Sequence, residues 1–133
     1  MGEVLILETS FLIDLERESR RRQEGPAQRF LALRERDSFC LTTTIVGELA
    51  SGRSMADRER WEAFVHQFRI LPETLEVCWE YGTAFRFLQN NGLLIGGNDL
   101  WIAATAIAYG LPLVTSNQRH FQRVPGLEIV TYR

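Results

Sequence analysis

The chain has 133 residues, of which 45% are apolar and 24% charged, and its formal net charge is −2 at pH 7. This composition is typical of a globular protein and excludes a disordered, collagen-like or disulfide-built chain. The small negative charge excludes binding of nucleic acid through a bulk positive field, so a polyanion would need a local patch. Cys40 and Cys78 lack metal-ligand spacing and are expected to be small buried hydrophobes.

The sequence predicts neither a membrane span nor a secretory signal. The longest apolar stretch, around residues 100–114, is interrupted by Thr105, Gly110 and Pro112 and is shorter than the roughly 20 residues that a span needs. No positive charge precedes the apolar residues 4–7, as a signal peptide would require. We therefore expect a cytoplasmic protein.

Strands and helices alternate from the first residues onward. Residues 4–7 form an unbroken apolar run, which is typical of a strand covered on both faces. A helical period begins at Phe11, and Pro26 suits the first turn of a second helix. Residues 39–41 predict a second strand, after which three threonines at 42–44 provide caps for a helix that ends by Gly52.

The same alternation continues through the second half of the chain. Apolar residues at helical spacing predict amphipathic helices over 61–68 and 77–88. Residues 100–109 are apolar nearly all round, which indicates a buried helix opened by Asn98 or Asp99. Short strands are predicted at 113–115 and 128–131. Together these elements imply a doubly wound, parallel sheet with right-handed crossovers and helices on both faces.

Polar residues that follow the predicted strands are the candidates for chemistry. In open α/β sheets, ligands bind in the crevice outside the carboxyl ends of the strands. Glu8 and Asn117 directly follow apolar strands, and Glu48 lies a turn or two into the helix after the second strand. Asp99 begins the buried helix. Three carboxylates and one amide are therefore expected to converge in one cleft.

Each of these residues also has a purely structural interpretation. Asp99 alone would be a helix cap, although Asn98 could serve instead. Glu48 alone would be a surface residue of its helix, and Asn117 a turn residue that bonds its own backbone. Glu8 is harder to explain in this way, because a carboxylate that ends a buried strand needs a partner or a cation.

Four segments in this order resemble the motifs of PIN-domain proteins, and among them the VapC toxin ribonucleases. The resemblance spans nearly the whole chain, and four ordered motifs are more specific than any one of them. The matching segments are residues 5–14 (LILETSFLID), 44–49 (TIVGEL), 98–106 (NDLWIAATA) and 113–121 (LVTSNQRHF), followed by Pro125-Gly126-Leu127.

The resemblance implies a fold, a reaction and a set of metal ligands. The fold is a single PIN-like domain over residues 1–133, with three α/β/α layers and a short, mainly parallel twisted sheet. The reaction is hydrolysis of RNA phosphodiesters and depends on Mg²⁺ or Mn²⁺. These hard cations are the kind that a cluster of carboxylates binds. Glu8 and Asp99 correspond to primary metal ligands, and Glu48 completes the acidic centre directly or through water. Asn117 would orient water or substrate.

Further residues of these motifs receive lesser roles from the same resemblance. Supporting hydroxyls are expected at Thr9, Ser10, Thr115 and Ser116. His120 occupies a position that the family often fills with an acid, but we interpret it as an ordinary surface histidine. Asp14 also recurs in family sequences, and we interpret it as a structural surface residue.

The chain departs from the family pattern at Glu8, where Asp is usual. The extra methylene moves the carboxylate outward in a site where magnesium requires tight octahedral geometry. Two hypotheses follow: an active endoribonuclease, or a catalytically impaired module that binds RNA or protein. A receiver-like signalling domain is a weaker third possibility, because such a domain needs a lysine partner and the chain has no lysine.

The resemblance to VapC toxins also implies partners. The protein would be the toxin of a type II toxin–antitoxin pair, with RNA as substrate, a cognate antitoxin and a homodimeric state. Seven arginines between residues 17 and 36 would help to hold RNA phosphate or an antitoxin tail, or would form a solvated helical face.

Overall fold

Five strands and seven α-helices, with one short 3-10 helix, make up the fold of residues 2–133, which are the residues that the computed structural model describes. The strands are β1 (Val4–Leu7), β2 (Ser38–Thr42), β3 (Arg69–Leu71), β4 (Leu113–Val114) and β5 (Ile129–Val130). The helices are α1 (Thr9–Arg21), α2 (Pro26–Ala32), α3 (Thr43–Ala50), α4 (Arg58–Val65), α5 (Leu75–Asn90), α6 (Gly97–Tyr109) and α7 (Gln118–Phe121), with the 3-10 helix at Arg53–Met55.

The strands form one sheet in the order β3-β2-β1-β4-β5, and every neighbouring pair is parallel. The chain adds strands on one side of β1 and then returns to add β4 and β5 on the other side. This reversal makes the carboxyl end of β1 a topological switch point, where such sheets bind ligands. The predicted parallel α/β sheet flanked by helices is therefore confirmed.

The core lies along the central strands. Leu5, Ile6 and Leu7 of β1 are fully buried, as are Leu113 and Val114 of β4. Strands covered on both faces need apolar side chains at every position, which is why the run at 4–7 does not alternate. The core thus fixes β1 and β4 side by side and aligns the residues that follow them.

Several element boundaries differ from the sequence-based expectations. Helix α6 begins at Gly97 with Gly96 as its N-cap, so capping by Asn98 or Asp99 is wrong. Helix α4 ends at Val65 rather than near residue 68, and β4 and β5 are two residues each. The short helix α7 was not predicted. Paired strand ends depend on neighbours that the local sequence does not reveal.

The two cysteines also differ from each other. Cys40 is buried in β2, as expected, but Cys78 lies on the exposed face of α5, so the prediction of two buried thiols is wrong for Cys78. Among the helices within residues 2–133, none combines the length and the apolar character that crossing a bilayer requires.

Candidate active site

Glu8 ends the buried strand β1 and is also the N-cap of α1. Its side chain is 6% exposed and accepts hydrogen bonds from the Ser10 backbone N–H (3.0 Å), the Ser10 hydroxyl (2.8 Å) and the Thr115 hydroxyl. Because Thr115 follows β4, this carboxylate joins the ends of the two central strands. The expected supporting hydroxyls at Ser10 and Thr115 therefore contact Glu8 directly.

The surroundings of Glu8 disfavour its charged form. Burial raises the pKa of the Glu8 carboxyl above its ordinary value of 4.5, although the hydrogen bonds from Thr115 and Ser10 act in the opposite direction. The negative charge of Asp99 also raises this pKa, because the carboxylates of Glu8 and Asp99 repel each other. Two of the candidate metal ligands are thus electrostatic neighbours at the switch point.

Glu48, in the second half of α3, links the beginnings of two other helices. The Thr9 hydroxyl, in the first turn of α1, donates to Glu48 Oε1 over 2.6 Å. The Asn98 side-chain amide, in the first turn of α6, donates to Glu48 Oε2 over 3.4 Å. Thr9 directly follows Glu8 and Asn98 directly precedes Asp99, so these bonds hold Glu48 close to both. Glu48 therefore makes specific contacts that a simple surface role would not require.

Asp99 and Asn117 meet at His120. The Nδ1 atom of His120 lies 3.5 Å from Asp99 Oδ2 and 3.1 Å from the side-chain nitrogen of Asn117. The Asn117 backbone N–H donates to the Thr115 hydroxyl over 2.9 Å, while its side chain contacts His120 rather than backbone. The interpretation of His120 as an ordinary surface histidine is therefore incomplete, because its ring contacts the site.

The carboxylates lie in one neighbourhood but do not all point at one position. Glu8 and Glu48 accept bonds from local hydroxyl and amide donors, whereas Asp99 faces the His120 ring. No group of three histidine, cysteine, aspartate or glutamate side chains within residues 2–133 is arranged closely enough to hold a metal ion. The metal centre formed by Glu8, Asp99 and Glu48 therefore stays a prediction. The donor set does fit a hard divalent cation, since it consists of carboxylate oxygens and two of its charges repel each other.

Two residues beyond the motifs also reach this edge. The Tyr132 hydroxyl donates to Asp14 Oδ2 over 2.6 Å, and Arg133 contacts both Asp14 and Ser116. Asp14, which the sequence analysis interprets as a structural surface residue, is mostly buried beneath these partners. Sequence reasoning missed Tyr132 and Arg133 because they follow β5 outside any motif.

Comparisons with known proteins identify the family to which this fold belongs. The PIN domain family model matches residues 5–127. Ribonuclease VapC1 of Rickettsia felis is 32% identical over 133 residues, which cover 96% of this chain and 95% of that protein.

Solved structures match over nearly the whole chain. The VapBC-1 structure from nontypeable Haemophilus influenzae is 25% identical, with a TM-score of 0.78 and coverage of 97% of this chain and 98% of that one. The VapBC2 structure from Rickettsia felis, bound to a DNA fragment from their promoter, has a TM-score of 0.81 at 23% identity and covers 98% of this chain and 99% of that one. The chain belongs to the PIN domain family and, among its members, to the VapC ribonucleases.

Proposed function

We propose that this chain is the toxin of a type II toxin–antitoxin pair and cleaves RNA phosphodiesters with Mg²⁺ or Mn²⁺. The observation that carries the proposal is the buried Glu8 carboxylate at the switch point, with Asp99 close enough to raise its pKa. A divalent cation bound by Glu8 and Asp99 would offset the repulsion between these two carboxylates. Residues 1–133 would act as one domain, in the cytoplasm.

The four candidate residues would divide the chemistry as follows. Glu8 and Asp99 would bind the cation, and Glu48, held by Thr9 and Asn98, would bind it directly or through water. When bound, the cation lowers the pKa of a coordinated water and offsets the charge that develops on the phosphate. Asn117, fixed by its N–H bond to Thr115, would orient the water or the substrate.

A cleavage assay tests this function. The purified protein, free of antitoxin, is incubated with structured RNA in Mg²⁺, Mn²⁺ or EDTA. We expect cleavage in either metal and none in EDTA, and we expect Asp99→Asn to lower the rate by at least about a hundredfold, because it removes a ligand charge. The matched control Asp57→Asn removes a helix-cap charge at the start of α4 and should cleave like the wild type.

The second candidate function is a binding module that lacks catalysis. It is favoured by one observation, the three hydrogen bonds that already occupy the Glu8 carboxylate. Cleavage that appears only in Glu8→Asp would support this second function and contradict the first. Cleavage by the wild type that persists in EDTA would contradict the proposed metal dependence.

We propose that a segment of the cognate antitoxin binds in an apolar groove between α1, α2 and α4. The groove has a volume of about 620 Å³, and its apolar lining comes from Leu15, Leu31, Met55, Ala63 and Phe64. Met55 and Glu16 also line a smaller adjoining cavity that includes Thr9 and Glu48. A segment seated in the groove would therefore extend to the candidate active site.

A further inference from the structure

The positively charged guanidinium group of Arg133 lies beside the candidate active site. Its Nε lies 3.2 Å from Asp14 Oδ2, and its Nη2 donates to the Ser116 hydroxyl over 3.4 Å. The Ser116 backbone N–H in turn donates to the Ser10 hydroxyl over 3.2 Å, and that hydroxyl donates to Glu8. A chain of hydrogen bonds thus connects the guanidinium with the buried carboxylate.

Asp14 holds a second guanidinium on the same side. Arg17 Nη1 lies 3.9 Å from Asp14 Oδ1, and the Tyr132 hydroxyl donates to the other carboxylate oxygen. The Asp14 side chain is only 15% exposed, whereas those of Arg17 and Arg133 are 48% and 54% exposed. A ligand that approaches this surface therefore meets the two cations rather than the carboxylate that orients them.

A surface cavity of about 170 Å³ adjoins the two arginines. It is lined by Arg17, Arg21 and Arg133, and by the acids Asp14, Glu18 and Glu24. Asp14 is paired, and Glu18 accepts bonds from three backbone N–H groups at the start of α2, which leaves Glu24 as an exposed acid at the rim. The cavity is smaller than the roughly 300–1,000 Å³ of small-molecule sites, so it suits a phosphate group rather than a whole nucleotide.

We propose that the guanidinium groups of Arg133 and Arg17, oriented by Asp14, bind a backbone phosphate of the RNA strand next to the one that is cleaved. This inference rests on the proposed ribonuclease function and names two substrate-positioning residues for it. A guanidinium has five N–H donors, and Arg133 uses two of them within the protein, so others are free for phosphate oxygens.

Arg21 lines the same cavity as Arg17, but other arginines of the run between residues 17 and 36 face different surfaces. Arg20 pairs with Glu16 beside the apolar groove, and Arg34 pairs with Asp37. Arg36 is exposed and lines a separate cavity with Glu3, which precedes β1 and thus lies towards the opposite edge of the sheet. The run is therefore not one phosphate-binding face, and Arg36 provides a matched control for the loss of one positive charge.

The test measures RNA binding separately from cleavage. A fluorescein-labelled single-stranded RNA of random sequence is titrated with each protein in EDTA, and anisotropy gives the dissociation constant at a series of NaCl concentrations. We expect Arg133→Gln to weaken binding by roughly fivefold at low salt. The slope of log affinity against log salt should become shallower by about 0.7, the contribution of one phosphate contact on a single strand.

The other variants decide between this inference and a general loss of charge. Arg17→Gln, a change on an exposed helix surface, should weaken binding in the same direction, whereas Arg36→Gln should match the wild type in affinity and slope. Wild-type affinity and slope in both Arg133→Gln and Arg17→Gln would overturn the inference, as would an equal loss in Arg36→Gln or a wild type that does not bind this RNA. Arginine-dependent binding without cleavage in Mg²⁺ or Mn²⁺ would instead contradict only the proposed nuclease function.

Discussion

Glu8 combines two roles that most proteins assign to different side chains. Serine, threonine, aspartate and asparagine are the preferred N-caps, and the longer glutamate reaches the same Ser10 N–H while also meeting Thr115. The sequence predicted an unusual carboxylate at this position because a buried strand ends there. It could not reveal the bond to Thr115, since that contact joins residues 107 positions apart and depends on β4 lying beside β1.

The raised pKa of Glu8 predicts a specific dependence of stability on pH. A folded-state pKa above the ordinary value of 4.5 means that the folded protein retains this proton at pH values where the unfolded chain has lost it. The stability that the protonated Glu8 carboxyl contributes is therefore fully present below the pKa of Glu8 in the unfolded chain. It is lost as pH rises through the pKa of Glu8 in the folded protein. In EDTA, the free energy of unfolding of Glu8→Gln relative to wild type should increase as pH rises from about 4 to 7.

Urea denaturation at several pH values measures this difference. The matched control is Glu24→Gln, because Glu24 is exposed and the substitution is the same. A difference between Glu8→Gln and wild type that stays constant over this pH range would show that burial does not raise the Glu8 pKa.

Among the elements, α2 depends on a residue from α1 for its N-terminus. Its N-cap is Gly25, which has no side chain, and the Glu18 carboxylate accepts bonds from the N–H groups of Gly25 (3.1 Å), Ala27 (3.0 Å) and Gln28 (2.9 Å). The sequence predicted the helix start from Pro26. It did not predict the cap, because Glu18 belongs to a different helix and caps are usually found next to the end they satisfy.

Removal of this cap should destabilise the fold. Glu18→Ala leaves backbone donors of α2 without their acceptor, and we expect a loss of about 1–2 kcal/mol in the free energy of unfolding. Thermal and urea denaturation measure it. A Cβ on Gly25 would lie 2.5 Å from the Glu18 carboxyl, so Gly25→Ala should also destabilise the protein. A Glu18→Ala variant as stable as Glu24→Ala would contradict this account of the cap.

For the whole molecule, alternating apolar runs predict the parallel sheet, because crossovers between parallel strands require intervening helices. That Glu8 and Asn117 lie at one edge was predictable for the same reason, since both follow strands and the carboxyl ends of parallel strands meet at one edge. The sequence did not predict the contact of His120 with Asp99, or the contacts of Tyr132 and Arg133 after β5. These contacts form because segments distant in the chain return to the same edge of the sheet. The local sequence around each residue does not indicate such a return.

Two separate surfaces should serve the two expected protein partners. Helix α5 presents an apolar surface on which Leu75 is 90% and Trp79 64% exposed. We propose that this surface forms the homodimer interface and that the antitoxin occupies the groove of α1, α2 and α4.

The Trp79→Glu variant should be a monomer in analytical ultracentrifugation but should still co-purify with an antitoxin expressed from a neighbouring small reading frame. Ala63→Arg, which fills the groove, should lose the antitoxin and remain dimeric.

These two variants serve as controls for each other, since each changes one exposed residue of a helix. Loss of both interactions in either variant would mean that one surface serves both partners. A wild-type protein that sediments as a monomer would contradict the proposed role of α5.

Because Glu8 is both a helix cap and a proposed metal ligand, a substitution there would affect both stability and activity. Selection for heat resistance alone would favour a shorter, uncharged capping residue there, because the buried negative charge opposes folding and a threonine or asparagine caps a helix without it. Such a replacement would improve the scaffold and abolish the carboxylate on which RNA hydrolysis is proposed to depend. Variants of this protein selected for thermal stability should therefore include ones without ribonuclease activity, and position 8 is the place to seek well-folded but inactive forms.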